Sequence, residues 1–433
     1  MTSLITTKPK NAPLAWLREA PIASRRALLA ASLGWMLDSF DIMLYALVLP
    51  AVMASLHLSK PSAGLLGSLT LIAGAAGGVL FGFIADLWGR TRALIASVLL
   101  YALFTAACGL AWSFASLAVF RILLGFGMGG EWASGASLVS ETWAAEHRDK
   151  ALGLMQSSFA IGYGLAAIVS FLVQPIAGWR GVFFVGLIPA LLTLWIRRSV
   201  PEPEAWQIAI AAQSVANPDP QATATPQAAP KKLTFRALFQ PPFLVRTVTL
   251  SLMNACCLFA WWGFNLWVPS YLSLPTPSGG IGLSPRIMTA ILVAMQTGMW
   301  IGYISFGYLA TAFGRRRVYV TFLVTAACLL VVFAWVRSPW LLVLLTPCLA
   351  FTATGYFSGF AAITADTFPA IIRARAQGLT YNFGRLASAA APFAVGALAQ
   401  RHGFHTAFYM DAFAFLLAAA LWIVLPNPKT RQP

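Results

Sequence analysis

Twelve long apolar blocks dominate the sequence and restrict what the chain can fold into. Each block is long enough to cross a bilayer as an α-helix, which needs about 20 apolar residues. A bilayer core offers no water to unpaired backbone groups, so helices are the expected spanning structures. We place spans 1 to 6 near 27–55, 64–85, 93–111, 116–140, 150–174 and 180–197, and spans 7 to 12 near 245–272, 285–311, 318–336, 339–364, 376–399 and 405–425.

Composition excludes an ordinary soluble protein. Of the 433 residues, 59% are hydrophobic and only 10% are charged, whereas soluble domains carry about 25% charged residues. So few charges could not cover the surface of a soluble fold. We therefore predict an all-α integral membrane protein, embedded in a lipid bilayer and built from twelve transmembrane helices.

The two sets of six spans are separated by residues 198–244. This stretch includes a polar segment at 213–230 that is rich in Ala, Pro, Gln and Thr. Such a composition cannot bury a core and is typical of a flexible connection. We predict an N-terminal six-helix bundle at 1–197, a cytoplasmic linker at 198–244 and a C-terminal six-helix bundle at 245–433.

The net charge is +16. We do not expect nucleic-acid binding, because no basic helix with interleaved aromatics lies outside the apolar blocks.

The distribution of the basic residues predicts the orientation in the membrane. If the N-terminus is inside, 22 of the 29 Lys and Arg fall in inside segments and only five outside. Basic loops stay on the cytoplasmic side. We predict both termini in the cytoplasm, in the plasma membrane or, in a bacterium, the inner membrane.

The two halves share residues at one fixed offset of 225 positions. Duplicated halves are typical of transporters, because a binding site between them opens to either side as they rock. Four matches lie between spans 2 and 3 and between spans 8 and 9, namely Gly82, Gly89, Arg90 and Arg92 with Gly307, Gly314, Arg315 and Arg317. Four more are Glu141, Arg148, Ala151 and Gly153 with Asp366, Arg373, Ala376 and Gly378.

Residues 82–92 read Gly82-Phe-Ile-Ala-Asp86-Leu-Trp-Gly89-Arg90-Thr-Arg92. This segment resembles the loop 2–3 signature of the major facilitator superfamily, G-x-x-x-D-x-x-G-R-x-R. The resemblance implies two pseudo-symmetric six-helix bundles around a central cavity, with alternating access to it.

The same resemblance implies a gating latch between the halves on the cytoplasmic side. Its residues would be Gly82, Asp86, Gly89, Arg90 and Arg92, with Arg315 from the second copy. Thr311 stands where that copy would carry the acid. The alternative is that these loop arginines only fix the topology.

Span 1 carries two carboxylates, Asp38 and Asp41, on the helical face that also holds Gly34 and Tyr45. They lie about 17–21 Å along the span, near the middle of the membrane. Two carboxylates so close together in poor solvent favour a proton on one of them. We predict that they couple transport to protons. A structural pair bonded to backbone or arginine is the alternative.

Span 4 contains Arg121 and Glu131, about 80° apart around the helix. Ionisable groups inside a membrane are costly and usually functional. Residues 121–129 resemble the family's span 4 signature, R-x-x-x-G-x-x-x-G, which is linked to proton coupling. We therefore assign Arg121 and Glu131 to the relay of protons, or to modulation of Asp38 and Asp41.

Span 11 contains Asn382 and Arg385, the latter about 14 Å into the span. A cation there needs an anionic partner. We predict an anionic substrate, with a fixed salt bridge to span 1 or 4 as the rival.

Polar and aromatic residues on shared helical faces complete the predicted substrate site. Three acids near span or loop ends, Glu141, Asp366 and Asp411, are interpreted as loop or cap contacts. The predicted lining residues, besides Arg385 and Asn382, are Tyr45 of span 1, Gln156 and Tyr163 of span 5, Trp261 and Asn265 of span 7 and Gln296 of span 8.

Residues 37–41 resemble the D-G-x-D motif of the metabolite–proton symporters, with Ser39 where glycine is usual. Residues 129–132, Gly-Gly-Glu-Trp, are similar to the sialate/lactate branch. The resemblance implies a secondary active transporter that takes up a small organic anion with protons. We expect protons as the coupling ion, no other cofactor, no metal, and a monomer.

Two other functions remain open. A carrier of the same fold could move sugars or drugs without proton symport. An intramembrane enzyme or receptor is disfavoured, because the sequence has no nucleophile motif, no clustered metal ligands and no soluble segment long enough to fold.

Overall fold

The computed structural model describes residues 15–202, 238–368 and 370–425, and these residues form only helices and turns. The centre of the predicted linker lies outside the described residues. A short helix, Ala15–Glu19, precedes the first span.

The first half contains six crossings. Spans 1 to 4 are the helices Ile22–Ser55, Lys60–Trp88, Arg90–Cys108 and Phe114–Thr142. The helix Ala145–Val185 is broken at Gly178, so that span 5 precedes this glycine and span 6 follows it and continues into Pro189–Ser199.

The second half repeats this order. Spans 7 to 9 are Leu244–Ser273, Pro285–Phe313 and Arg315–Trp335. Span 10 combines Pro339–Gly355, a 3-10 turn at Tyr356–Gly359 and Phe360–Thr367. Span 11 is Ala370–Ser388 with the first part of Ala391–Leu421, and span 12 is the part of that helix after Gly403.

Two glycines turn the chain back without a loop. Gly178 has φ 63° and Gly403 has φ 79°, values that a side chain disfavours. Each breaks a 46-residue apolar helical stretch, Glu146–Leu191 or Ala376–Leu421, into two crossings. The ten apolar stretches found in the described residues therefore supply twelve crossings, and the predicted all-α fold is confirmed. The two glycines are 225 positions apart, like the motifs.

Helix packing repeats at the same offset. A side chain at Gly77 would overlap the backbone carbonyl of Phe126, and a Cβ at Gly302 would lie 2.6 Å from the carbonyl oxygen of Phe351. Glycines at such positions let two helix backbones approach closely. Spans 2 and 4 therefore pack in the first half as spans 8 and 10 pack in the second.

The two ends of the molecule differ in how the halves meet. We call the end with Gly89 and Gly314 the motif end, and the end with Lys60 the opposite end. At the opposite end, Lys60 Nζ donates to the carbonyl of Ser278 at 2.8 Å, and the Lys60 backbone N–H donates to Oε1 of Gln400 at 3.1 Å. The start of span 2 is therefore fixed to the second half.

Glycines near the motif end have open surroundings. Among the described atoms, none lies within 4 Å of a Cβ built on Gly82 or Gly153, or on their second-half partners Gly307 and Gly378. The halves are therefore joined at the opposite end, while no described atom packs against these four positions near the motif end.

Candidate functional site

The two aspartates of span 1 lie together inside the first half, as the sequence predicted. Asp38 is 2% exposed and Asp41 is fully buried. Thr105 of span 3 donates its hydroxyl to Asp41 Oδ2 at 3.0 Å. Asp38 is near enough to Asp41 for direct electrostatic interaction. Oδ1 of each aspartate has no hydrogen-bond partner in the described part of the chain.

Glu131 of span 4 joins this pair. Its carboxylate lies over Gly34 of span 1, so closely that a Cβ at Gly34 would overlap Oε1. Glu131 interacts electrostatically with Asp38, and neither of its oxygens has a described hydrogen-bond partner. We call Asp38, Asp41 and Glu131 the acid cluster. Burying several unpaired anions costs several kcal/mol each, so such a cluster favours carboxyls that carry protons.

Arg121 lies apart from Glu131 of the same span, and its part in the relay of protons or in modulation of Asp38 and Asp41 stays a prediction. The guanidinium is fully buried and stacks on Tyr45, with its carbon 4.1 Å from the ring centroid. Its electrostatic neighbours are Tyr45 and Cys108 rather than Glu131. Nε and Nη1 have no hydrogen-bond partner among the described residues. The ten-residue spacing along span 4 therefore does not bring Arg121 and Glu131 together.

Tyr45, predicted to contact the substrate, makes two contacts within the protein. Its hydroxyl already donates to the carbonyl of Ala63 at 2.8 Å, and its ring is occupied by Arg121. Because both its polar atom and its face are in use, Tyr45 supports Arg121 in this conformation.

Arg385 reaches from span 11 towards the first half. Its Nη2 and Nη1 would lie 3.5 and 3.7 Å from a Cβ on Gly74 and on Gly78, both in span 2. It interacts electrostatically with Asp38 but forms no salt bridge with a carboxylate whose side chain is described. The cation therefore faces the acid cluster across the interface without a fixed anionic partner there.

Asn382, one turn before Arg385, is exposed and bonded within its own helix. Its Nδ2 donates to the carbonyl of Gly378 at 2.9 Å. Its carbonyl oxygen and its second Nδ2–H remain for another partner.

Spans 7 and 8 carry three buried residues that we call the amide cluster, namely Trp261 and Asn265 of span 7 and Gln296 of span 8. Each is at most 4% exposed. Trp261 Nε1, Asn265 Oδ1 and both amide atoms of Gln296 lack a hydrogen-bond partner among the described residues. Buried polar groups almost always have partners. These four atoms therefore mark a place where a polar ligand or water would be bound.

The first half closes over the amide cluster through span 5. Tyr163 donates its hydroxyl to the backbone carbonyl of Asn265 at 3.4 Å, and a Cβ on Gly164 would lie 3.7 Å from Gln296 Cβ. Gln156, further along span 5, is half-buried. Span 5 thus contacts the predicted lining residues Asn265 of span 7 and Gln296 of span 8.

The aromatic side chains of Trp35 and Phe159 connect this interface to span 1. Neither residue was predicted from the sequence. The rings of Trp35 and Phe159 are 5.3 Å apart, and those of Phe159 and Trp261 are 5.4 Å apart. Ser39 donates its hydroxyl to the Phe159 carbonyl at 2.7 Å. The position of Phe159, one turn after Gln156 and one before Tyr163, was a signal that could have revealed it.

The loop 2–3 motif makes its described contacts within the first half. Arg90 Nε donates to both carboxylate oxygens of Glu141, at 2.9 and 3.1 Å. The carboxylate of Glu202 accepts the backbone N–H groups of Thr91 and Arg92, each at 3.1 Å. The Asp86 side chain lies outside the described ones. A latch between the halves stays a prediction.

The family model described as Major Facilitator Superfamily matches residues 31–276 and 272–433. The chain is also similar to two characterised transport proteins. It is 30% identical to the cis,cis-muconate transport protein of Acinetobacter baylyi, with 94% of this chain and 95% of that protein covered. It is 30% identical to the sialic acid transporter NanX of Escherichia coli, with 95% of each covered.

Among solved structures, the fold matches the crystal structure of a D-xylose-proton symporter with a TM-score of 0.71. The sequences are 19% identical, and the match covers 94% of this chain and 99% of that one.

Proposed function

The chain belongs to the major facilitator superfamily, and on that premise we propose that it takes up a small organic carboxylate together with protons. Members of the family are multi-pass membrane transporters, so the chain is a transporter and not an enzyme. The observation that carries the proposal is the position of Asp38. It interacts with Asp41 and Glu131 in its own half and with Arg385 of the other half.

This position suggests how protons and substrate are coupled. An ionised Asp38 attracts the Arg385 guanidinium and competes with a substrate carboxylate for it. A proton on Asp38 removes the competitor and frees Arg385 for the substrate. Proton and substrate together also leave fewer unpaired charges in the interface, which lowers the cost of reorientation.

The amide cluster would orient the rest of the substrate. Its four unpartnered atoms include two nitrogen donors and two oxygen acceptors. The Trp261 and Phe159 rings provide an apolar surface next to them. A carboxylate with an apolar body and further polar groups fits this combination. The names of two relatives specify organic acids, muconate and sialic acid.

We assign both termini to the cytoplasm, following the distribution of basic residues. The motif end is then cytoplasmic, and the Lys60 contacts close the outer side. With this assignment, contact between the halves on the outer side corresponds to an inward-facing conformation. Outward-facing molecules would close the motif end, and there Asp86, Arg90 and Arg92 would contact the second half.

Uptake by proteoliposomes tests the proposal. We expect an inward-directed proton gradient to drive accumulation of at least one compound from a panel of mono-, di- and aromatic carboxylates. A protonophore should abolish that accumulation. Uptake that is indifferent to the gradient would contradict proton coupling. Neutral sugars in the same panel test the rival carrier function, which would be favoured if they alone were transported.

A further inference from the structure

Asp411 of span 12 is a buried acid that the proposed transport mechanism does not use. The interpretation of Asp411 as a loop or cap contact is wrong. Asp411 follows Gly403 by eight residues, about 12 Å into the span, and is fully buried. Neither of its carboxylate oxygens has a hydrogen-bond partner within the described residues.

The carboxyl fills a gap left by a glycine of span 7. A Cβ on Gly263 would lie 2.5 Å from Asp411 Oδ1 and 2.9 Å from Val395 Cγ2. Any larger residue at 263 would displace the acid. Asp411 therefore lies at the seam of the second half, a term we use for the contact between the first and sixth span of each half.

The seam of the first half also holds a carboxyl. A Cβ on Gly186 of span 6 would lie 3.0 Å from Asp41 Oδ1. Gly186 matches Asp411 at the offset of 225 positions, and Asp38 matches Gly263. Each half thus places one carboxyl at its seam, but span 1 contributes it in the first half and span 12 in the second.

The two carboxyls differ in their neighbours. Asp41 accepts a hydrogen bond from Thr105, whereas the matching position in the second half is the buried Leu330. Spans 2, 7 and 9 pack on the Ala391–Leu421 helix that contains Asp411, and none of their described residues forms a hydrogen bond or a salt bridge with the carboxyl. An ionised carboxylate without any donor is very costly to bury, so the site favours a proton on Asp411.

A metal ion does not fit this site. Metal ions of the calcium and magnesium type need about six oxygen ligands. Within the described residues, no group of three or more His, Cys, Asp or Glu side chains is arranged to hold a metal ion.

Span 7 connects the second-half seam to the proposed substrate site. Trp261 and Asn265 of the amide cluster flank Gly263 on the same two turns of helix. If these residues move around a substrate, the backbone of span 7 at Gly263, against which the Asp411 carboxyl packs, moves with them. This link rests on the proposed function, since it uses the substrate site assigned there.

We propose that Asp411 is a second, reversible proton-binding site, belonging to the second half and coupled through Gly263 to occupancy of the site on span 7. The carboxyl binds the proton on one oxygen and releases it to water when spans 7 and 12 separate. The first half binds its proton in the acid cluster, and the second half binds its own at the seam.

Infrared difference spectroscopy of the purified full-length protein tests this. The C=O stretching band of protonated carboxylic acids is followed as pH is raised across the range in which the protein stays folded. We expect Asp411→Asn to remove the contribution of one carboxyl from the titrating band, and Asp41→Asn to remove a different one. Identical difference spectra for Asp411→Asn and wild type would overturn the proposal.

A second variant keeps the test valid if Asp411→Asn does not fold. Gly263→Ala places a methyl group against Oδ1 while it retains the acid, so the Asp411 band should persist and shift in frequency. An unshifted spectrum would contradict the assignment. Gly153→Ala is the matched control, because no described atom lies within 4 Å of its Cβ.

These spectra need neither substrate nor transport. Uptake that ignores the proton gradient would therefore refute the proposed function and leave the Asp411 result standing. Gradient-driven uptake with an unchanged Asp411→Asn spectrum would refute only the second proton site.

Discussion

Arg385 of span 11 faces Asp38 of span 1 across the interface between the halves, within electrostatic reach but without a salt bridge to any carboxylate whose side chain is described. The first half thus contributes the carboxylate and the second half contributes the guanidinium, and no salt bridge joins the two groups. A substrate anion and a proton can each change this balance, which makes the pair the first target for experiments.

Asp38→Asn removes the acid that competes for Arg385 and cannot exchange a proton. We expect it to bind and exchange substrate but to lose accumulation driven by a proton gradient. Each coupled proton is worth about tenfold accumulation per pH unit, since one unit corresponds to about 1.4 kcal/mol. Counterflow and net uptake in proteoliposomes separate the two activities. Continued concentration of substrate by this variant would show that Asp38 is not the coupling residue.

Arg385→Ala removes the cation offered to the substrate. Truncation of one partner of a buried charge pair costs about 2–5 kcal/mol, so the apparent Kd should rise about 30-fold or more. Arg385→Lys is the matched control, because it retains the charge and should lose less. Competition by unlabelled carboxylates measures the effect. If anions compete equally well in Arg385→Ala, the substrate carboxylate binds elsewhere.

Gly34→Ala tests the contact between spans 1 and 4, since the added methyl group would overlap Glu131 Oε1. Overpacking of this kind costs about 1–3 kcal/mol, and the thermal unfolding temperature in detergent should fall. Gly82→Ala adds the same group where no described atom is within 4 Å and should leave that temperature unchanged. Equal effects of the two substitutions would argue against the placement of Glu131 over Gly34.

Gln296→Leu replaces the unpartnered amide with an apolar side chain of similar size. An unsatisfied buried polar group costs about 1–3 kcal/mol, so we expect the variant to unfold at a higher temperature while uptake falls. The half-buried Gln156→Leu serves as the comparison for a more hydrated amide. A loss of both stability and uptake in Gln296→Leu would indicate that this amide is structural.

The sequence was sufficient for the architecture. The length of the apolar blocks predicted the twelve crossings. The offset of 225 positions found for the motifs also relates Gly178 to Gly403, and it relates the closely packed glycine of span 2 to that of span 8. The pairing of Asp38 with Asp41 was predictable as well, because three positions along a helix define a shared face.

Contacts between different helices were harder to predict, because their rotation about their own axes depends on packing with every neighbour. Spacing within span 4 could not reveal that Arg121 stacks on Tyr45 while Glu131 reaches Gly34. Asp411 was misplaced for a related reason. Its burial depends on a gap at Gly263, which lies 148 positions earlier in the sequence.

The exchange of sides at the two seams has an evolutionary consequence. After an ancestral six-helix unit was duplicated, the two copies could diverge in which helix supplies the acid while both retained a contact of carboxyl and glycine. Aligned columns would record the aspartates at positions 41 and 411 as unrelated, because position 41 aligns with Leu266 and position 411 aligns with Gly186. What the two halves share is the contact of a carboxyl with a glycine, so the positions to compare among descendants are the pairs 41 with 186 and 263 with 411.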